Sequence, residues 1–413
     1  MSSHTAVARA GTSSGLWPVI LCWLAMTLDG FDMVVLGAVI PTLDSENALG
    51  FTTASLTSAA TIGLIGVMIG AVMTGAVADR FGRRLTLVAC VILFSIFTFA
   101  TAFVPNKEMF IAFRFIAGLG LGACLPTALT YMSEYAKAGS ASSATTRTMT
   151  GYHVGAVITS LMALWLIPHW GWESLFMIGG LAGFALVPFL WFKLPESDSF
   201  LAVKEGTVAK VKLSEVVKGR LLAVSIGIWV ASFMGLLLVY GLNTWLPKIM
   251  SEAGYSVSGG VALLLTLNVG AVIGLFVSGK VADERGNKKA VLVWFGVAAV
   301  ALALLSIKIE SQFVVYAAVL LAGVFVFSAQ VLVYAFTAHL YPARIRATAL
   351  GMSAGVGRVG AIMGPTLGGA MVGAGVAYPW GFYAFAAAAA IAFVALFFVP
   401  AHLPLDEKAP ADA

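Results

Sequence analysis

The chain has 413 residues, 60% of them hydrophobic and only 10% charged, with a mean hydropathy of +0.97. A soluble domain carries about 25% charged residues, so this composition excludes a water-soluble globule and makes lipid the main solvent. The net charge of +5 then reads as a signal of membrane topology rather than of nucleic-acid binding, and three cysteines, Cys22, Cys90 and Cys124, each inside an apolar run, exclude a disulfide framework or a metal cluster.

Residues 1–15 are polar and read as a cytoplasmic tail. The apolar run that follows is too long for a signal-peptide core, so it reads as a retained first span. Runs of about 20 apolar residues, enough to cross a bilayer, fall at 16–41, 54–78, 85–104, 109–133, 148–168, 172–192, 221–246, 257–279, 290–307, 312–338, 347–372 and 379–400. They predict an all-α membrane protein of twelve spans. The polar interval 193–220 divides it into six-helix bundles over 16–192 and 221–400, with a second tail at 401–413.

The first span contains "TLDGFDMVVLGAVIP" (27–41), with Asp29 and Asp32 near mid-membrane. Three residues apart, they share a helix face. A charge at that depth costs several kcal/mol unless it meets a wet cavity or a partner. Two neighbouring carboxylates do not both ionise easily, so one is expected to take up a proton readily. That suits proton coupling; the alternative is a structural knot neutralised by Arg114. Arg114, in the fourth span, has the planar fork that grips a carboxylate. It is expected to bind either the cargo's carboxylate or the acids of the first span. His153, in the fifth span, reads either as a group that gains a proton near neutral pH or as a hydrogen-bonded packing residue.

In the second half, "VYGLNTWLP" (239–247) offers Tyr240, Asn243 and Trp245 from the seventh span. The tenth offers Phe327, Gln330 and Tyr334, spaced to share one face. An aromatic floor with an amide and a phenol suits a ring bearing a carboxylate and a hydroxyl. Arg358, about ten residues into the eleventh span, is a second candidate anion ligand.

With the N-terminus inside, the outer segments hold only Lys107, Lys248 and Lys308, so both ends are placed in the cytoplasm. An internal repeat runs through the chain. "GAVADRFGRR" (75–84) is echoed by "GKVADERGNKK" (279–289), and "GYHVGAVI" (151–158) by "VGRVGAIM" (356–363), which sets His153 opposite Arg358. Two equivalent halves are what a rocking transporter needs. The first loop reads as a gate: Asp79 is positioned to meet the positive N-terminal end of the eleventh helix with Arg344 or Arg346. Arg80, Gly82 and Arg83 belong to the same loop, and Glu134 with Arg147 is expected to join the network. The second copy, with Asp283, is weaker, carrying Glu284 and Asn287 where the first has Arg80 and Arg83. The pairs Gly118/Gly122, Gly151/Gly155, Gly351/Gly355 and Gly360/Gly364 have the spacing that lets membrane helices touch.

These motifs resemble the signatures of the major facilitator superfamily: the "GAVADRFGRR" loop, "RFIAGLGLGA" (114–123), "LPES" (194–197) and "YPARIRATALGMSAGVGRVGAIMGPTLGG" (341–369). "DGFD" (29–32) is similar to the first span of the aromatic acid:proton symporters. The resemblance implies alternating access, a proton-coupling role for Asp29 and Asp32, and a gating role for the loop. The expected function is proton-coupled import of a benzoate- or hydroxybenzoate-like carboxylate across the cell (inner) membrane. The partners are the organic anion, protons and the bilayer, with no nucleic acid and no cofactor, and a single chain is expected to suffice. No nucleophile–base set, metal motif or soluble catalytic domain points to an enzyme. A sugar symporter should carry a glutamine pair with an asparagine in the seventh span, and a drug antiporter a Gly-Pro signature in the fifth. Neither is present. Two intramembrane arginines leave a carrier of a non-aromatic, muconate-like dicarboxylate as the main alternative.

Overall fold

A computed structural model of the chain describes residues 16–135, 141–196, 219–308, 311–341 and 343–403. The expected tail 1–15, most of the linker 193–220 and most of the tail 401–413 lie outside the described residues. Twelve α-helices are present among the described residues. The first six are α1 (Leu16–Ser45), α2 (Thr53–Phe81), α3 (Arg83–Thr101), α4 (Lys107–Tyr135), α5 (Ala141–Trp170) and α6 (Glu173–Lys193). The second six are α7 (Arg220–Glu252), α8 (Val257–Arg285), α9 (Asn287–Leu305), α10 (Gln312–Leu340), α11 (Ala343–Gly373) and α12 (Ala377–Phe397). At 1.5 Å per residue even the 19-residue α3 reaches about 28 Å, close to the hydrocarbon thickness. Eleven of these helices are long and apolar enough to cross a membrane. The exception is α11, which is rich in glycine and carries Arg344, Arg346 and Arg358.

The internal repeat is visible in how the helices start, turn and touch. Thr52 caps α2 by accepting from Ser55 N–H, and Ser256 caps α8 by accepting from Gly259 N–H. At their other ends, α2 breaks into α3 at Gly82 (φ 90°) and α8 breaks into α9 at Gly286 (φ 88°). Only glycine adopts such a backbone without strain, which is why the two loop copies keep these two residues.

Close helix contacts repeat in the same way. A Cβ on Gly155 of α5 would stand 1.9 Å from the Thr27 carbonyl of α1, and one on Gly360 of α11 would stand 2.0 Å from the Phe233 carbonyl of α7. The α4/α2 and α10/α8 pairs match likewise, through Gly122 on Val67 and Gly323 on Leu267. In lipid there is no hydrophobic drive to join helices, so this backbone-to-backbone contact holds each half together. One expectation fails here. Gly351 and Gly355 meet nothing within 4 Å. Their spacing suits a helix contact, but the first half of α11 turns that face to open space.

Candidate functional site

Asp32 and Arg114 form a closed unit. Arg114 Nη1 donates to both carboxylate oxygens of Asp32 at 2.9 Å, and Nη2 donates to the Asp32 main-chain carbonyl at 3.0 Å. A third side chain, Thr98 of α3, donates to Oδ1 at 2.7 Å. The Arg114 and Asp32 side chains are only 6% and 2% exposed, and the guanidinium lies 5.9 Å over the Phe176 ring. Of the two roles expected for Arg114, the structure shows the grip on a first-span acid, and that acid is Asp32.

Asp29, one turn earlier on α1, differs. It is 4% exposed and has no hydrogen-bond donor among the described residues. The charges within its electrostatic reach are Arg358, on the opposite half, and Asp32. Arg358 is half-buried and, among the described residues, makes one long bond, Nη1 to the Tyr240 hydroxyl at 3.3 Å. The phenols of Tyr240, Tyr334 and Tyr152 lie within its electrostatic reach, with Gln330 close enough to Tyr334 to interact. Tyr152 lies in "GYHVGAVI" next to His153, and a phenol carries no charge signal in the sequence to single it out. His153 is buried, packs edge-on to Phe327 across the two halves at 5.3 Å, and leaves Nδ1 without a partner.

The amides carry further unmet capacity. Neither Oε1 nor Nε2 of buried Gln330 has a well-aligned hydrogen-bond partner among the described residues, although the Tyr334 side chain is close enough to interact. Asn243 accepts from Asn268 Nδ2 at 3.0 Å, leaving Asn243 Nδ2 unpaired. Such orphans are costly in a protein interior, about 1–3 kcal/mol each, and mark places where a ligand or water completes the bonding. Trp245 is different: it is fully buried, and its indole N–H donates to the Pro365 carbonyl at 2.7 Å, tying α7 to α11. The centre thus offers one open guanidinium, three phenols, one unbonded carboxylate and an amide able both to donate and to accept.

The expected gate is only partly visible. The side chains of Asp79, Glu134, Arg147 and Arg344 lie outside the described residues. Arg80 is exposed, 5.2 Å over the Phe81 ring; Arg346 is exposed and bonds Tyr341 of its own turn; Asp283 is exposed. A residue outside the sequence-based set secures this loop. Glu196 Oε1 accepts from the main-chain N–H groups of Arg83 (2.9 Å) and Arg84 (3.1 Å), a carboxylate on the positive N-terminus of α3. Its Oε2 lies 2.5 Å from where a Gly82 Cβ would stand. At the matching turn no side chain among the described residues caps α9, and Lys288 Nζ donates instead to the Phe397 carbonyl of α12 at 3.1 Å.

Two repeated helix bundles that bury charged and phenolic side chains between membrane-length helices are the arrangement of a membrane transporter. The sequence matches the Major Facilitator Superfamily over residues 22–307 and 261–412, and the chain belongs to that family. It is 34% identical to the "Gentisate transporter" of Corynebacterium glutamicum, over 92% of this chain and 86% of that one. It is 31% identical to the "Gallate transporter" of Pseudomonas putida, over 90% of each, and 31% identical to the "Benzoate transport protein" of Acinetobacter baylyi, over 92% and 88%. Among solved structures, the fold is similar to a D-xylose-proton symporter (TM-score 0.76, 17% identity, 92% and 97% covered). It is also similar to a bacterial homologue of the lysosomal transporter Spinster (TM-score 0.67, 18% identity, 94% and 95% covered). The chain is therefore a multi-pass facilitator-superfamily transporter related to carriers of aromatic acids.

Proposed function

We propose that this transporter is a proton-coupled symporter that imports an aromatic carboxylate. Arg358, with Tyr240, takes the cargo's carboxylate, and Asp29 carries the proton. The observation that carries this reading is the contrast at the centre: Asp32 is saturated by Arg114 and Thr98, whereas Asp29 stands unbonded within reach of Arg358. A protonated Asp29 leaves Arg358 free for an anionic cargo. When the cargo departs, the ionised carboxylate becomes the counter-charge of Arg358, so proton and anion move in step. The aromatic acids named for the relatives favour a ring as the cargo's body. The orphaned donor and acceptor of Gln330 favour a hydroxyl on it, since a hydroxyl serves both.

Both termini are assigned to the cytoplasm of the cell (inner) membrane, and the bundles 16–192 and 221–400 to rocking units of a single functional chain. The loop at Asp79, Arg80, Gly82 and Arg83, with Glu134, Arg147, Arg344 and Arg346, is assigned the inner gate, and Asp283 its weaker copy. The dicarboxylate alternative relied on two available arginines, and Arg114 is already committed to Asp32. The test is uptake of labelled benzoate, hydroxybenzoates, phenylpropionates and dicarboxylates, with and without a proton uncoupler. Hydroxybenzoates should accumulate most and lose accumulation with uncoupler. Preference for a dicarboxylate, or indifference to the uncoupler, would refute the proposal.

A further inference from the structure

Far from the central site, at the end that carries the α1–α2 and α7–α8 turns, the two halves meet through charge. Lys248, in the last turns of α7, donates Nζ to Asp44 Oδ2 of α1 at 2.6 Å. Glu252, one turn further along α7, places Oε1 3.8 Å from the same ammonium. One cation thus stands between a carboxylate of the other half and a carboxylate of its own helix. The seam around it is tight. Thr61 and Thr366 hydroxyls touch at 3.1 Å, and a Cβ on Gly37 of α1 would stand 1.9 Å from the Asn243 carbonyl of α7.

All three charged side chains are partly buried, with 18% of Lys248, 23% of Asp44 and 29% of Glu252 left exposed. Parting the halves removes Asp44 and lets water reach the ammonium, while Glu252, on the same helix, remains as its ionic partner. It lies at the i,i+4 distance where helix side chains meet, in the Lys-before-Glu order that makes the weaker pair. A weaker partner that stays with Lys248 suits a second choice: it loses while the halves are closed and takes over when they part.

We propose that Lys248 is a partner-exchange switch, bonded to Asp44 when this end is closed and to Glu252 when it opens. The two carboxylates therefore stabilise opposite states. A static clamp would make Asp44 important and Glu252 irrelevant.

The test uses purified full-length protein in lipid nanodiscs, spin-labelled at Glu46→Cys and Ser258→Cys, both exposed positions near these turns. The native cysteines are buried. Electron-spin distance distributions give the closed and open populations. Asp44→Asn should raise the open-to-closed ratio about two- to fivefold, the range of a partly exposed pair. Glu252→Gln alone should lower the ratio, because only the open state relies on that partner, and Asp44→Glu should keep the wild-type ratio. The proposal is overturned if Glu252→Gln alone raises the ratio or leaves it unchanged, or if Asp44→Asn itself has no effect.

Discussion

Asp29 and Asp32 sit one turn apart on one helix, yet they belong to different parts of the machine. Asp32 has its cation, Arg114, and its hydroxyl, Thr98, from its own half. Asp29 has an opposing charge within electrostatic reach, Arg358, on α11 of the other half. A pair within one bundle travels with that bundle and feels little of a rocking motion. A pair across bundles changes whenever the halves move. The side chain is the same; its partner's location decides whether it braces the fold or senses the transport state.

This contrast can be broken at several points. The largest effect should come from Arg114→Ala, which leaves Asp32 buried without its cation. We expect a loss of about 3–5 kcal/mol in stability, seen as a lowered melting temperature in detergent. Asp32→Asn combined with Arg114→Gln should recover part of that loss, since no buried charge remains unpaired. Thr98→Val should come next, costing about 1.5–3 kcal/mol for a hydrogen bond to a charged group, with the Michaelis constant for cargo unchanged. If Thr98→Val altered cargo affinity instead, Asp32 would belong to the binding site. The smallest effect should be Arg358→Lys. It should leave the melting temperature alone and raise the Michaelis constant about tenfold with the maximal rate kept, because an ammonium replaces a planar fork at a carboxylate.

The sequence makes some of this legible and hides the rest for physical reasons. The repeat was readable because a loop that needs a positive-φ glycine must keep it, and Gly82 and Gly286 both have that backbone. Two acids in a lipid-spanning run announced themselves by cost. What separates them was not readable, because Thr98 and Arg114 reach Asp32 from 66 and 82 residues away. "LPES" was visible as a motif, but the role of Glu196 depends on amides 112 and 113 residues earlier. Gly351/Gly355 and Gly360/Gly364 share one spacing. Spacing defines a face, and only packing decides whether a neighbour occupies it.

The central claim is that Asp29, not Asp32, moves the proton with the cargo. Its most direct test is pH recording outside proteoliposomes holding the purified protein after 4-hydroxybenzoate is added. The wild type should alkalinise the medium as acid and proton enter together. Asp29→Asn should exchange labelled for unlabelled 4-hydroxybenzoate yet leave the external pH unmoved. Cargo-driven alkalinisation persisting in Asp29→Asn would contradict the account.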